Sequence, residues 1–473
     1  MISRNRLIGI PALTSLLLFG LQVTGQDKIR AGEVCEKVVC QDDPAESYAL
    51  YLPAGYSPEK KWPILYAFDP GAQGRIPVER YGAVAERYGY IVAGSNNAQN
   101  GPWEPILHAV NAVWRDTHSR FRVDENRVYV TGFSGGARAA SRLPKLSQAA
   151  IAGVIGCGAG LAVGEKLADL RGAYYCGVVG RIDFNYAEMR RLSAEMEARA
   201  ILHRLVVFEG GHSWPPAEAF QKAVEWMEVL AIKQGLRPRN EKLVGELFLK
   251  ETAEAQALEQ SGKLIDAANS YGSVIGAFKG LADTSDLEAR REQLRKSDSY
   301  QRALREESAD AREELATRTR LNKVLSRIDR DKSDLLNLEK ALKDLKLEPL
   351  LREIDEDKDT RAKLVSYRCL QSVGLDCRLK GFAALNSRDA KRAIVFFEIA
   401  VRVAKGMPGR LEYLYFYLAS AYALDQNKDK ALACLAEAVK AGFKDVGMLE
   451  KERNFDSLRT TKGFQDILDA LKQ

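Results

Sequence analysis

The chain has 473 residues, with 70 lysines and arginines against 64 aspartates and glutamates, and a formal net charge of +6. This near balance of charge gives no support to nucleic-acid binding, and neither does any sequence motif. The seven cysteines show no zinc-site spacing, and none of the four histidines lies near a cysteine pair. No metal and no nucleic-acid partner are therefore expected.

Residues 1–25 have the composition of a secretory signal peptide. Arg4 and Arg6 precede an apolar run from Leu7 to Leu21, and small residues precede Gln26. This pattern predicts cleavage before Gln26 and export to the periplasm or the extracellular space. A stable membrane anchor is the less favoured alternative, because the apolar run is short for a transmembrane helix.

Short apolar runs in the first half of the chain predict the strands of one sheet. They are rich in β-branched and aromatic residues, and helical stretches separate most of them. This alternation predicts βαβ units, and hence an α/β fold whose mostly parallel sheet is covered by helices. The predicted strands lie at residues 48–52, 64–68, 90–94, 128–130, 151–156, 177–179 and 205–208.

The segment after the strand at residues 90–94 carries three candidate substrate-binding residues. Asn97 and Trp103 lie in a loop at the rim of the predicted sheet, and His108 lies on the helix that follows. Loops at such positions often carry binding residues. The alternative is structural: Asn97 and Trp103 would order the loop, and His108 would be an ordinary helix residue.

A G-x-S-x-G motif spans Gly132 to Gly136, between a strand-like run and a helix-forming stretch. A serine at a sharp strand-to-helix turn has a strained backbone, and side chains two residues before and after it would collide. Glycine is therefore required at both positions. The strand before and the helix after provide the context that the motif needs, so Ser134 is the predicted nucleophile.

To act as a nucleophile, a serine hydroxyl needs a general base and an acidic residue that orients the base. With a nucleophile elbow of this type, the three residues follow one another in the chain as Ser, Asp or Glu, and His. His212 follows a predicted strand and two glycines and is the predicted base. Asp183 follows another predicted strand and is the predicted acid. Glu209 competes for that role, but it is too close in sequence to His212 to face it easily. His118 and His203 are expected to be structural or solvated.

These residues carry a resemblance to a known family. The segment Val123–Ala137, with Tyr51–Tyr56 upstream, resembles the secreted poly(3-hydroxybutyrate) depolymerase and feruloyl esterase branch of the α/β-hydrolases. It is also similar to the phospholipase/carboxylesterase group, and the likeness covers residues ~45–235. The resemblance implies an α/β-hydrolase fold and a serine esterase without a cofactor, with the predicted nucleophile, acid and base as its catalytic triad.

The oxyanion hole is where the chain departs from that family. The elbow reads Ser-Gly-Gly-Ala where the family has Ser-Asn-Gly-Ala, and Asp69-Pro70-Gly71-Ala72 replaces a His-Gly pair. One donor is predicted to be the amide of Gly135, just after the nucleophile. Because Pro70 has no N–H, Gly71 or Ala72 is predicted to supply the second. Asp69 is expected to turn away into a loop hydrogen bond.

The composition changes near residue 237, where strand signals end and helix-forming residues dominate. We therefore assign residues 26–237 to a catalytic domain, 238–365 to charged amphipathic helices and 366–473 to a helical-repeat domain. Two separate cores, each able to fold alone, are expected.

Small and large residues recur through the last hundred positions at helical-hairpin spacing. They are Gly381, Ala393, Phe397 and Ala400, and then Leu418, Ala419, Tyr422, Ala431, Leu435 and Ala438. This pattern resembles tetratricopeptide repeats. The resemblance implies a protein partner or self-association.

These features predict a secreted serine hydrolase with a protein-interaction domain and no cofactor. The favoured activity is hydrolysis of carboxylic esters. Two alternatives remain open. A serine peptidase or amidase would use the same triad, with His212 protonating the leaving amine. A non-catalytic scaffold protein would keep the fold while the repeats carry its role, which the unusual Asp69-Pro70-Gly71 sequence leaves open.

Overall fold

The computed structural model describes residues 29–147, 150–330, 338–356, 360–407 and 411–472. The predicted signal peptide lies outside these ranges. Within them, none of the helices combines the length and the apolar character needed to cross a membrane.

An eight-stranded sheet forms the first half of the molecule. Its strands are β1 (Val34–Val39), β2 (Ser47–Tyr51), β3 (Trp62–Phe68), β4 (Ile91–Ser95), β5 (Val123–Phe133), β6 (Gly153–Cys157), β7 (Tyr174–Gly180) and β8 (His203–Phe208). The strand order is β1-β2-β4-β3-β5-β6-β7-β8. The pairs β1–β2 and β2–β4 are antiparallel, and the other five are parallel. This order defines the α/β-hydrolase fold.

The predicted mostly parallel sheet is confirmed, with two corrections at its edge. β1 was not predicted, because its buried residues Cys35 and Val38 are separated by the exposed Glu36 and Lys37 and do not form an apolar run. β2 was predicted as one more parallel strand but is antiparallel to β4. All five of its residues are buried, so the sequence shows a buried strand without showing its direction.

Helices cover both faces of the sheet in separate apolar clusters. The buried residues of α1 and α5 pack on one face, and those of α2, α3 and α4 pack on the other. Their bounds are α1 (Arg75–Tyr88), α2 (Trp103–Arg120), α3 (Gly135–Leu146), α4 (Tyr186–Ala198) and α5 (Ala217–Lys233). A short 3₁₀ helix, Leu167–Leu170, precedes β7.

The rest of the described chain is helical. It consists of α6 (Glu241–Gln260), α7 (Leu264–Phe278), α8 (Ser285–Lys296), α9 (Asp298–Arg330), α10 (Leu338–Leu345), α11 (Glu348–Asp355), α12 (Arg361–Asn386), α13 (Ala390–Ala404), α14 (Leu411–Leu424), α15 (Lys428–Lys440), α16 (Val446–Lys451), the 3₁₀ helix Arg453–Phe455 and α17 (Lys462–Lys472).

The helices that follow residue 237 share a core with the sheet. Val244 of α6 and Tyr271 of α7 belong to the same apolar cluster as Trp226 of α5, whose Nε1 donates to the carbonyl of Ser273 at 3.4 Å. The expectation of two separate cores is therefore wrong. Helix α5 is buried on nearly every side, which is the pattern of a helix covered by further layers. The domain limits themselves stay a prediction.

The residues of the predicted repeats lie in two helical hairpins, α12 with α13 and α14 with α15. In the first hairpin, a Cβ added at Gly381 would come within 2.8 Å of the Phe397 ring. Glycine therefore lets the two helices approach closely. In the second hairpin, Leu418, Ala431 and Leu435 are buried in one cluster. Whether these hairpins are tetratricopeptide repeats stays a prediction.

Candidate active site

Ser134 lies at a strained turn between β5 and α3, with φ 54° and ψ −117°. A positive φ is uncommon for a residue with a side chain, and it marks positions that the surroundings hold in place. A Cβ on Gly132 would overlap the backbone of Gly136, and a Cβ on Gly136 would overlap the carbonyl of Phe68. Packing thus explains both glycines of the motif.

The side chains of Ser134, His212 and Asp183 form a hydrogen-bonded series. His212 Nε2 lies 2.9 Å from Ser134 Oγ, and His212 Nδ1 lies 2.9 Å from both carboxylate oxygens of Asp183. Asp183 is completely buried. With the proton on Nδ1, Nε2 is free to accept the serine proton, and this tautomer is assigned from the hydrogen bonds. The structure brings together the three residues that the sequence selected.

The loop between β7 and α4, residues 181–185, which we call the Asp183 loop, holds the buried carboxylate in place. Asp183 N–H donates to Gly180 O at 3.0 Å. Its Oδ1 also accepts the N–H of Asn185 at 2.8 Å, and Asn185 Nδ2 donates to Gly158 O at 2.7 Å. A buried carboxylate requires such bonds because it has lost its hydration. Asn185 was not predicted from the sequence, although it lies two residues beyond the predicted acid.

Two phenylalanines flank the imidazole of His212. The ring centroids of Phe133 and Phe184 lie 4.6 Å and 4.1 Å from that of the imidazole. Each phenylalanine adjoins a predicted site residue in sequence, so the contacts form once the two turns are made. Neither phenylalanine was predicted from the sequence to belong to the site. They shield the imidazole, whose side chain is 13% exposed.

Glu209, the alternative acid, faces other partners. Its side chain is 69% exposed and lies 3.0 Å from Arg181 and 3.0 Å from Lys263. Burial acts to raise the pKa of Glu209, but hydrogen bonds from Lys263 and Arg181 outweigh it and leave the pKa lowered. The carboxylate is thus engaged by cations, whereas His212 is paired with Asp183.

The candidate oxyanion donors differ in their availability. Gly135 is the first residue of α3, where an N–H has no acceptor within the helix. Gly71 N–H already donates to Asp69 Oδ1 at 2.8 Å, and Ala72 N–H donates to Asp69 O at 3.0 Å. Asp69 turns into the loop as expected, and its Oδ2 accepts from Trp214 Nε1 at 2.7 Å. To act as the second donor, the N–H of Gly71 or Ala72 therefore has to be shared between Asp69 and the oxyanion.

Two of the three predicted substrate-binding residues are occupied by structural contacts. Asn97 Oδ1 accepts the N–H of Ser47 at 3.0 Å, and its Nδ2 donates to Ala45 O at 3.1 Å. His108 Nε2 lies 2.7 Å from Asp43 Oδ2. Both side chains fasten the segment before β2, so the structural alternative describes them better. A sequence cannot show a partner about fifty positions away.

Trp103 contacts α3, and a further asparagine lies beside the first residue of that helix. The Arg142 guanidinium lies 4.8 Å from the centroid of the Trp103 ring, which ties Trp103 to the helix that begins after Ser134. A Cβ added at Gly135 would overlap the side-chain amide of Asn100. Asn100 is therefore a neighbour of the elbow that the sequence analysis missed, because only its position in a rim loop distinguishes it.

The two histidines expected to be structural have structural partners. His118 Nδ1 lies 2.8 Å from Trp114 O. His203 Nε2 lies 2.8 Å from Ser193 Oγ, and its Nδ1 lies 2.9 Å from Ile201 O. Burial lowers the pKa of His203 from its usual value of 6.5. Both imidazoles therefore have roles in packing.

Cys157 is the other potential nucleophile beside the elbow, since its carbonyl accepts the N–H of Ser134 at 2.8 Å. Burial raises the pKa of the Cys157 thiol to about 12, so it stays protonated and unreactive near neutral pH. Among the described residues, no group of three or more His, Cys, Asp or Glu side chains is arranged to hold a metal ion.

No protein-family model and no curated protein matches the sequence. Among solved structures, an S-formylglutathione hydrolase from Staphylococcus aureus is 13% identical, over 38% of this chain and 92% of its own, with a TM-score of 0.32. A feruloyl esterase module from Clostridium thermocellum is 17% identical, over 41% of this chain and 86% of its own, with a TM-score of 0.32. An esterase from Thermogutta terrifontis is 14% identical, over 46% of this chain and 97% of its own, with a TM-score of 0.34. The fold assignment rests on the strand order rather than on these likenesses.

Proposed function

We propose that the protein is a serine esterase in which Ser134 is the nucleophile, His212 the general base and Asp183 the residue that orients the base. One observation carries this proposal: hydrogen bonds of 2.9 Å join Ser134 Oγ to His212 and His212 to the completely buried Asp183. The serine also has the strained backbone of a nucleophile elbow.

In the proposed reaction, Ser134 Oγ attacks the ester carbonyl while His212 Nε2 takes its proton. The carbonyl oxygen becomes an oxyanion, which the N–H of Gly135 at the start of α3 stabilises. The tetrahedral intermediate then releases an alcohol protonated by His212. Water then gives a proton to His212 Nε2 and attacks the acyl carbonyl, and His212 returns that proton to Ser134 Oγ as the carboxylic acid leaves. Every step uses side chains and amides of this chain, so the proposal requires no cofactor.

We also propose that the protein is exported and that its last helices bind a protein. The first proposal is supported by the composition of residues 1–25, and the second by the close-packed hairpin in which Gly381 meets Phe397. The protein bound by the last helices could also be a second copy of this chain, which would make the hairpins a self-association surface. Sedimentation of the purified protein over a range of concentrations distinguishes self-association from a monomer.

The esterase proposal is tested with nitrophenyl esters of increasing acyl length and with aminoacyl nitroanilides, using full-length protein and Ser134→Ala. We expect ester hydrolysis that Ser134→Ala abolishes. Faster cleavage of the amides would instead indicate a peptidase. Absence of hydrolysis for every ester and amide would favour the non-catalytic scaffold, and equal rates for both proteins would contradict the proposed nucleophile.

A further inference from the structure

Two arginines of the helical half bind the backbone on either side of Asp183. Arg318 of α9 donates from Nη1 to the carbonyl of Phe184 at 2.7 Å. Arg368 of α12 donates from Nη1 to the carbonyl of Arg181 at 3.2 Å. These two carbonyls lie one residue after and two residues before Asp183, so the Asp183 loop is fastened at both ends by helices that are more than 130 positions away in the chain.

A buried carboxylate joins the two arginines. Glu314 Oε2 accepts from Arg368 Nε at 2.7 Å, and Glu314 Oε1 accepts from Arg318 Nη1 at 3.3 Å. The side chain of Glu314 is 1% exposed and that of Arg368 is 6% exposed. Burying such charges costs hydration, so the group is weak evidence for stability. The effect of Glu314 on geometry is clearer: it holds the guanidinium groups of Arg318 and Arg368 so that both point toward the Asp183 loop.

The same helices also contact residues that adjoin the base. The Arg318 guanidinium lies 5.9 Å from the centroid of the Phe184 ring, and that ring lies 4.1 Å from the His212 ring. On α12, the amide of Gln371 occupies the space that a Cβ at Gly211 would need. Helices α9 and α12 therefore contact the residues beside both the acid and the base.

We propose that Arg318, Arg368 and Glu314 are positioning residues of the active site, which hold Asp183 in the geometry that orients His212. The helical half is then part of the catalytic unit. This inference rests on the proposed function. It differs from a purely stabilising role, because it requires loss of turnover in variants that remain folded. Small displacements of catalytic groups lower turnover strongly.

The test uses full-length Arg318→Ala and Arg318→Lys, with Arg327→Ala as the matched control. Arg327 lies on the same helix, but its guanidinium pairs with Asp344 instead of the Asp183 loop. For a small soluble ester, we expect Arg318→Ala to lower kcat roughly 10- to 100-fold and to change KM less than about threefold. Arg318→Lys, which keeps a cationic N–H donor group, should recover part of this loss. Arg327→Ala should match the wild type.

A measurement without substrate separates this inference from the proposed function. We expect the hydrogen-bonded Nδ1 proton of His212 to give a far-downfield proton resonance, which His212→Gln should identify by its loss. We expect Arg318→Ala to shift or broaden this resonance and Arg327→Ala to leave it unchanged. If Arg318→Ala fails to fold by circular dichroism, Gln371→Ala and Arg368→Lys provide the same comparison, with kcat and the resonance again expected to change.

Two outcomes have distinct meanings. If Ser134→Ala is as active as the wild type, the proposed function fails, and the resonance alone decides whether the arginines position Asp183. If Ser134→Ala is inactive while folded Arg318→Ala keeps kcat within about twofold and an unchanged resonance, the positioning role is overturned and the esterase remains.

Discussion

At the scale of single residues, the site combines strain with burial. Ser134 is held at φ 54° by the packing of two glycines, and Asp183 is buried and hydrogen-bonded to His212 and to the amide of Asn185. Strain of this kind persists only where the surrounding structure fixes it. The roles of the two carboxylates near the base can be compared directly.

Asp183→Asn is expected to lower turnover by about 10⁴-fold, because an amide at this position favours the wrong histidine tautomer. Glu209→Gln is the matched control, since its side chain is 69% exposed and pairs with Arg181 and Lys263. It should change turnover less than about threefold. Steady-state kinetics on one ester measures both variants. A larger loss in Glu209→Gln than in Asp183→Asn would move the acid to Glu209.

His203 is expected to make the fold sensitive to acid. Its pKa is lowered by burial from the usual 6.5, so the unfolded chain takes up a proton before the folded protein does as the pH falls. The stability it provides is complete above pH 6.5 and is lost as the pH falls below that value. Between about pH 7.5 and about pH 5.5, the urea midpoint of His203→Gln should fall less than that of the wild type.

The wild type, measured over the same pH range, is the reference for this experiment. An equal decrease for His203→Gln would show that His203 does not contribute to the acid sensitivity.

At the scale of elements, α9 is the link between the helical half and the sheet. Arg190 of α4 forms two parallel hydrogen bonds with Glu307 of α9, at 2.7 Å and 2.9 Å, and its Nη1 donates to Asp266 of α7 at 2.8 Å. The Arg190 side chain is 8% exposed. A bidentate pair of this kind fixes the orientation of both elements, so α9 is held where Arg318 can reach the Asp183 loop.

Glu307→Ala is expected to lower the free energy of unfolding by about 1.5–3 kcal/mol, because Arg190 loses two charge-assisted hydrogen bonds while it remains buried. The control is Glu292→Ala on α8, since Glu292 pairs with Lys296 at the surface, where it is 68% exposed. That change should leave the free energy of unfolding nearly unchanged. Urea unfolding measures both values. Equal costs would show that α9 is not docked through Arg190.

The elements differ in how far the sequence predicts them. The elbow and the order Ser134, Asp183, His212 follow from local patterns, because each residue follows the carboxyl end of a strand: Ser134 directly, and the other two after a short loop. The partners of Asn97 and the contacts of Arg318 depend on segments that are distant in the chain. No local pattern distinguishes Arg318 from the other arginines of α9, so its contact appears only when the helices are packed.

At the scale of the whole molecule, helices α6 to α8, which follow residue 237, share an apolar cluster with α1, α5 and one face of the sheet. Arg204 of β8 and Glu251 of α6, both buried, also form an ion pair across this boundary at 2.5 Å. The change in composition at residue 237 therefore marks a change of secondary structure and does not separate two cores.

Residues 26–237 expressed alone are expected to be insoluble or only partly folded, because removal of α6 and α7 exposes the apolar face of α5, including Trp226. Residues 26–297 keep α6 to α8 and should be more soluble. This longer fragment lacks Arg318 and Arg368, so it should hydrolyse esters slowly. Circular dichroism and steady-state kinetics test both fragments. A soluble 26–237 fragment with the full-length rate would contradict the shared core and the positioning role together.

The central claim is that Ser134 is a nucleophile activated by His212, and covalent labelling tests it most directly. Full-length protein treated with a fluorophosphonate should gain one adduct in its intact mass, and peptide mapping should place the adduct on Ser134. Ser134→Ala should gain none, while Ser141→Ala, a buried serine on the helix that follows, should label like the wild type. An adduct on another serine, or an unlabelled wild type that is folded, would contradict this account.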